Sequence, residues 1–292
     1  MTSAQDRPLT AALADFASSA SLEILPAPVL DRSSALLAAI LEAARAQLAP
    51  GPLASVLSSL DSPPECTVFG SREKLGGTYA AFLNGSAAHR SPVGGAFSAE
   101  RAAEAVVPAC VAAAEIGRRS GADLLFGVAV GLECALRLAA KLGPGHEARG
   151  FQLLGSAGRL GAALGASRTL GHDLPQTIAA IGFASTESGG PLRAAAQGGA
   201  ALLSGKAAAD GLEAALLAGA GLIGPSAPIE GRRGLFALEA ADGAMDPLAD
   251  LGTVWLLADE PLVGAPEPLV VAALALVEDP SVYGLLEVIG GH

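Results

Sequence analysis

Residues 124–142 read LLFGVAVGLECALRLAAKL. The run is about five helical turns long and apolar almost throughout. Glu133, Arg137 and Lys141 interrupt it. The cost of placing those groups in lipid argues against a membrane span. What remains is a helix from Asp123 to Leu142 within a compact, mostly helical protein.

The same texture extends on both sides. Upstream, Leu9 to Ser19 has helical apolar spacing, and Asp31 is placed to cap a helix over Ser33 to Leu48. A short helix is expected at Leu53 to Leu60, then an extended piece with a turn at Cys66 to Gly70. Thr78 to Ala88 reads as helix and Arg90 to Gly95 as loop. Ala99 to Arg119 is helical again, with Pro108 expected to bend or divide it. Downstream, Gly143-Pro-Gly145 is a turn. Helices follow at Ser156 to Leu170, Leu174 to Ala184 (capped by Asp173) and Ala207 to Ala220. After a Gly/Pro loop at Gly221 to Gly234 the texture changes. Gly252 to Leu257 suggests a strand, Glu267 to Val277 a helix, and Tyr283 to Ile289 a short element of either kind. The expected fold is all-α, with one helical domain over 8–234 and a short extension over 235–292.

Of the 292 residues, 51% are hydrophobic but only 4% aromatic, so the core is built from Ala, Leu and Val. Charged residues are 16%, below the usual quarter. So little polar surface favours burying some of it in an oligomer, and the Gly158-Gly161-Gly165 spacing permits close helix packing; a homodimer is expected. The net charge of −11 argues against nucleic acid and against an anionic membrane surface. Cys66, Cys110 and Cys134 are too few and too scattered for a disulfide or zinc framework. Buried, reduced thiols fit them better. The N-terminus lacks the order of a signal peptide, so the cytoplasm is the expected location.

Gly219-Ala-Gly-Leu-Ile-Gly224 matches the spacing of a dinucleotide fingerprint but lacks the strand before and the helix after it. His89, His146, His172 and His292 share no metal-ligand spacing. No metal or organic cofactor is expected. Polar residues gather beside glycine loops in four places: His89-Arg90-Ser91; Glu100-Arg101 with Glu104; His146 to Gln152; and Ser185-Thr-Glu-Ser188. In so uncharged a chain these are candidate walls of a small-molecule pocket, or else helix caps and surface polars.

At these residues the sequence resembles the MmgE/PrpD family, whose members include 2-methylcitrate dehydratase and cis-aconitate decarboxylase. Cys66-Thr-Val-Phe-Gly70 through Ala80-Ala-Phe-Leu-Asn-Gly-Ser-Ala-Ala-His89 is similar to the family's A-T-V-x-G and A-A-x-x-N-G-x-x-A-H. Ala105-Val-Val-Pro-Ala109, Gly121 to Leu125, Gly131-Leu-Glu133 with Arg137, Ala148 to Phe151, Ile181 to Ser185, Gly205 to Gly211, and Gly224-Pro225 to Glu230-Gly231 follow in order. The resemblance covers roughly residues 8–260. It implies a large helical domain that dimerises, followed by an α+β lid. The lid's Lys-x-Tyr-Pro stretch has no counterpart here, so most of the lid is expected to be absent.

The departures bear on function. The acidic run that follows the family's matched histidine is replaced by Pro92-Val-Gly-Gly95. Arg101 and Gln152 stand where the family has histidines, and Ala200 to Leu203 replace a basic stretch. Removing a tricarboxylate's water or carboxyl group needs tuned acids and bases, and cations for the carboxylates. Neither named activity is therefore expected. One reading is a repurposed lyase, isomerase or cyclase acting on a hydrophobic, polyketide-type metabolite. His89 would be its acid/base, Arg101 would hold a carboxylate or enolate oxygen, and Gln152 would donate a hydrogen bond. Arg90, His146 and Arg149 would form the rim, and Leu153, Leu154 and Leu203 the apolar wall. The other reading is a non-catalytic ligand-binding or scaffold protein, or a partner subunit of a complete family member.

Overall fold

The computed structural model describes residues 8–19, 25–47, 55, 59, 62–90, 97–239, 242–261, 264, 265 and 267–275. The elements expected at 283–289, most of 53–60, and the loop at 91–95 lie outside them. Helices α1 (Leu9–Ser19) and α2 (Ala27–Gln47) come first. A two-residue hairpin follows, β1 (Cys66–Thr67) antiparallel to β2 (Lys74–Leu75), with Cys66 opposite Leu75. Then come α3 (Gly77–Ala88), α4 (Ala99–Gly117), α5 (Gly121–Ala148), α6 (Arg159–Leu170), α7 (Leu174–Thr186), α8 (Ala200–Gly219) and α9 (Glu267–Ala275). The fold is all-α.

Caps set where the helices begin. Ser98 accepts from the Arg101 amide. Ser120 with Asp123, and Asp173 with Gln176, form reciprocal capping boxes. Gly171, at φ 73°, ends α6 in the left-handed conformation that a side chain would oppose. Helix α4 runs unbroken through Pro108: it is buried on nearly every face, and packing holds it despite the missing N–H. Helix α8 begins seven residues before the expected Ala207.

Helices α4, α5, α6 and α8 form the centre, with α6 against the other three. The Gly158-Gly161-Gly165 stripe is used here, inside the chain. A methyl group on Gly161 would lie 2.6 Å from the Gly131 carbonyl oxygen of α5, so only glycine allows this approach. The stripe is therefore no argument for a dimer interface.

Residues after 234 enter the same core: Leu235, Trp255, Leu257 and Ala273 are buried in the main apolar cluster. The strand expected at Gly252 to Leu257 is instead turns and a 3-10 helix over Leu256–Asp259. The reason is a buried ion pair on α5. Arg137 donates to the carbonyls of Pro247, Ala249 and Val254, and Glu133 accepts from the amides of Leu256 and Leu257. Side chains bind this segment where a neighbouring strand would have done so. No helix among the described residues is long and apolar enough to cross a membrane.

Candidate functional site

The end of α3 and the first turns of α4 bring together the polar residues that sequence reading singled out. His89 follows the last residue of α3, its side chain 20% exposed. Its Nδ1 lies 2.9 Å from Oε2 of Glu104, which is 1% exposed. Ser204 of α8, fully buried, donates to the same oxygen at 2.7 Å, and the Arg90 amide donates to Oε1. Burial alone would push the Glu104 carboxyl up. The hydrogen bonds from His89 and Ser204, the His89 charge and the Arg90 amide together outweigh it and hold the group below its ordinary value. A carboxylate fixed on Nδ1 sets the tautomer of the ring and leaves Nε2, which has no partner among the described residues, as the working nitrogen.

One turn earlier on the same face of α4, Arg101 donates to Oε1 of Gln152 at 2.6 Å. Both side chains are buried, and the Gln152 Nε2 has no acceptor. Arg101 and Gln152 thus meet directly, and α4 joins them to the His89–Glu104 pair. Gln152 sits just before a π-helical turn, Leu154–Gly158, an irregularity frequent at functional sites. Its amide donates to the Gly190 carbonyl, which ties it to the segment after α7.

The remaining expected residues fall elsewhere. Arg90 is exposed and contributes its backbone amide. Arg149, also exposed, donates to the Leu238 carbonyl. His146 is not at a rim: it is fully buried, because helix resumes after the kink at Gly143 and turns the ring inward. Its Nδ1 meets the Glu239 carbonyl at 3.2 Å. Leu154 is core, Leu153 packs against the main cluster, and Leu203 lies against Gly155 and Gly190. The three clefts described in the structure are lined by none of His89, Arg101, Gln152, Leu153, Leu154 or Leu203.

Sequence reading gave no role to Ser204, a lone hydroxyl among the alanines and leucines of α8. It also missed the cluster at the start of α6. There Arg159, 4% exposed, lies 3.1 Å from Asp210, which also holds Lys206 at 2.5 Å. Burial pulls the Arg159 guanidinium down, opposed by Asp210, Glu187 and Glu239. No group of three potential metal ligands occurs among the described residues. Burial pushes the Cys66 and Cys110 thiols up to about 12, away from the thiolate form.

The profile of the MmgE/PrpD N-terminal domain matches residues 11–246. The chain belongs to the MmgE/PrpD family. It is 35% identical over 185 residues to the cis-aconitate decarboxylase of Homo sapiens, covering 61% of this chain and 37% of that protein. The Mus musculus protein of the same name is 33% identical over 201 residues, covering 65% and 41%. The cis-aconitate decarboxylase-like protein oryM of Aspergillus oryzae is 34% identical over 177 residues, covering 56% and 37%. The chain thus spans about two fifths of the length of the curated relatives it matches.

Proposed function

We propose that this MmgE/PrpD chain is a cofactor-independent proton-transfer enzyme, a lyase, isomerase or cyclase. The observation that carries the reading is the pairing of partly exposed His89 with buried Glu104. A ring held through Nδ1 can take a proton at Nε2 and return it, which is general acid/base work. The Arg101–Gln152 pair beside it offers a fixed cation and a free amide N–H, suited to a developing enolate or carboxylate oxygen. Neither group shuttles protons at neutral pH. This set differs from what loss of a carboxyl group from cis-aconitate, the reaction in its relatives' names, would ask of two histidines at those places. A hydrophobic substrate of polyketide type remains the proposed class, on the loss of the family's basic stretch at Ala200 to Leu203 rather than on an apolar wall at Leu154.

The test is deuterium exchange. Purified protein is incubated in D2O with cis-aconitate and with β-keto thioesters of increasing chain length, followed by NMR. Exchange next to the carbonyl that needs His89 is the expected result. Turnover of cis-aconitate, or exchange unchanged in His89→Ala, overturns the reading. A second reading is a ligand-binding or partner subunit. Binding of the thioesters without any exchange would establish it instead. The homodimer is likewise a proposal, checked by light scattering at micromolar concentration.

A further inference from the structure

We propose that the cleft between the end of α7 and the 227–239 segment binds a phosphate monoester that also carries hydroxyl groups. The cleft encloses about 390 Å³ and is walled by Ser185, Thr186, Ser188, Arg232, Arg233 and Glu239 among others. That volume suits a small metabolite. None of His89, Arg101 or Gln152 lines it, so it is a site apart from the proton-transfer group.

Three features point to the ligand. Arg232 and Arg233 are exposed, and neither guanidinium has a hydrogen-bond or ion-pair partner. Two adjacent unpaired cations are unusual on a chain of net charge −11. The second is held at φ 69°, a conformation that costs a non-glycine residue energy. Second, Ser185, Thr186 and Ser188 also line the cleft; their hydroxyls donate to the Ile181 and Phe183 carbonyls and to Glu239, and so present acceptor oxygens to the hydroxyls of a ligand. Paired guanidiniums match the several oxygens and near-double charge of a phosphate better than a single carboxylate.

The third feature lies at the floor. Glu239 is 5% exposed, and its Oε1 accepts from Ser188 Oγ at 3.0 Å. Its Oε2 has no hydrogen-bond partner; His146 Nδ1 stands 3.5 Å away and bonds the Glu239 carbonyl instead. A buried carboxylate oxygen left open needs a donor. A hydroxyl on the carbon skeleton of the ligand would supply it while the phosphate faces the arginines. The sequence had marked Ser185 to Ser188 and His146 as polar residues beside glycine loops; here Ser188 and His146 meet at one carboxylate.

Titration calorimetry on the full chain with glycerol 3-phosphate, inorganic phosphate, glycerol and malate tests the proposal. Glycerol 3-phosphate should bind more tightly than inorganic phosphate, and glycerol alone should not bind. The exposed pair Arg232→Ala/Arg233→Ala, which leaves the core untouched, should weaken glycerol 3-phosphate by about tenfold or more. Glu239→Gln should reduce the preference for glycerol 3-phosphate over inorganic phosphate. No saturable binding of either phosphate, or binding indifferent to both arginines, overturns the site. Malate binding as tightly as glycerol 3-phosphate overturns the ligand class. Equal binding of the two phosphates by the unsubstituted chain overturns the role of Glu239.

Discussion

Glu133 and Glu104 are both 1% exposed, on neighbouring helices, and both are paired with a basic side chain. Their surroundings differ. Glu133 meets Arg137, itself fully buried, and the pair binds two amides and three carbonyls of the 247–257 segment. It is a saturated joint between α5 and the chain that wraps it. Glu104 instead holds a ring that is part in solvent and keeps one nitrogen unbonded. The same ingredients make architecture in one place and a proton-handling group in the other. What separates them is whether the basic partner retains an unsatisfied, accessible atom.

The largest effect should come from breaking the saturated pair. Arg137→Ala would leave Glu133 charged and buried and three carbonyls without donors. The expected loss is about 3–5 kcal/mol, read by urea unfolding. The double variant Glu133→Leu/Arg137→Met should lose less, because no lone charge remains. If Arg137→Ala unfolds at the same urea concentration as the parent, the joint is not structural and the contrast with Glu104 collapses.

His89→Ala should show the opposite profile. Exchange activity should fall about a hundredfold or more, as for loss of a general acid/base. Stability should fall by less than in Arg137→Ala, because Glu104 keeps Ser204 and the Arg90 amide. A variant that loses stability as fully as Arg137→Ala while retaining activity would put both pairs in one class.

The contrast could be read only in part from the sequence. The helices were legible because apolar spacing and the caps Ser120 and Asp173 are local signals. Trp255 and Leu257 looked like a strand because alternation reports burial of a short segment, not what satisfies its backbone. The bonds from Glu133 and Arg137 span more than 100 positions and leave no local mark. His89 and Arg101 stood out as polar residues beside a glycine-rich loop. Arg101 and Gln152 were grouped as residues of one expected cavity; their direct bond, across 51 positions, leaves no local mark. Ser204 was passed over because one serine in an alanine-rich helix reads as neutral. Cavity walls were the least legible: Leu154 is apolar whether it faces a ligand or, as here, the core.

Ser204→Ala gives a smaller effect that sharpens the comparison from the side of α8. It removes one neutral donor from a buried carboxylate that keeps two others. A loss of about 1 kcal/mol is expected in urea unfolding, with His89-dependent exchange reduced severalfold or less. If exchange falls as far as in His89→Ala, the hydroxyl takes part in the reaction and is not merely holding Glu104.

The smallest effect is the pH dependence of Glu104 itself. Its folded carboxyl lies below the ordinary value of 4.5, because the hydrogen bonds and charge around it outweigh burial. A group depressed on folding contributes stability that is complete above the unfolded value and fades as pH falls through the folded one. Glu104→Gln keeps one acceptor oxygen, for either Ser204 or the Arg90 amide, and carries no proton equilibrium. The other carboxylates titrate alike in both chains, so the difference between them isolates Glu104. Urea unfolding at neutral pH and at steps below about 4.5 should show the parent's advantage over Glu104→Gln shrinking as the solution is acidified. If that difference stays constant through the acid range, the carboxylate is not stabilised by its partners in the charged form. The His89–Glu104 pair would then be an ordinary hydrogen bond, with no more claim to chemistry than the joint at Arg137.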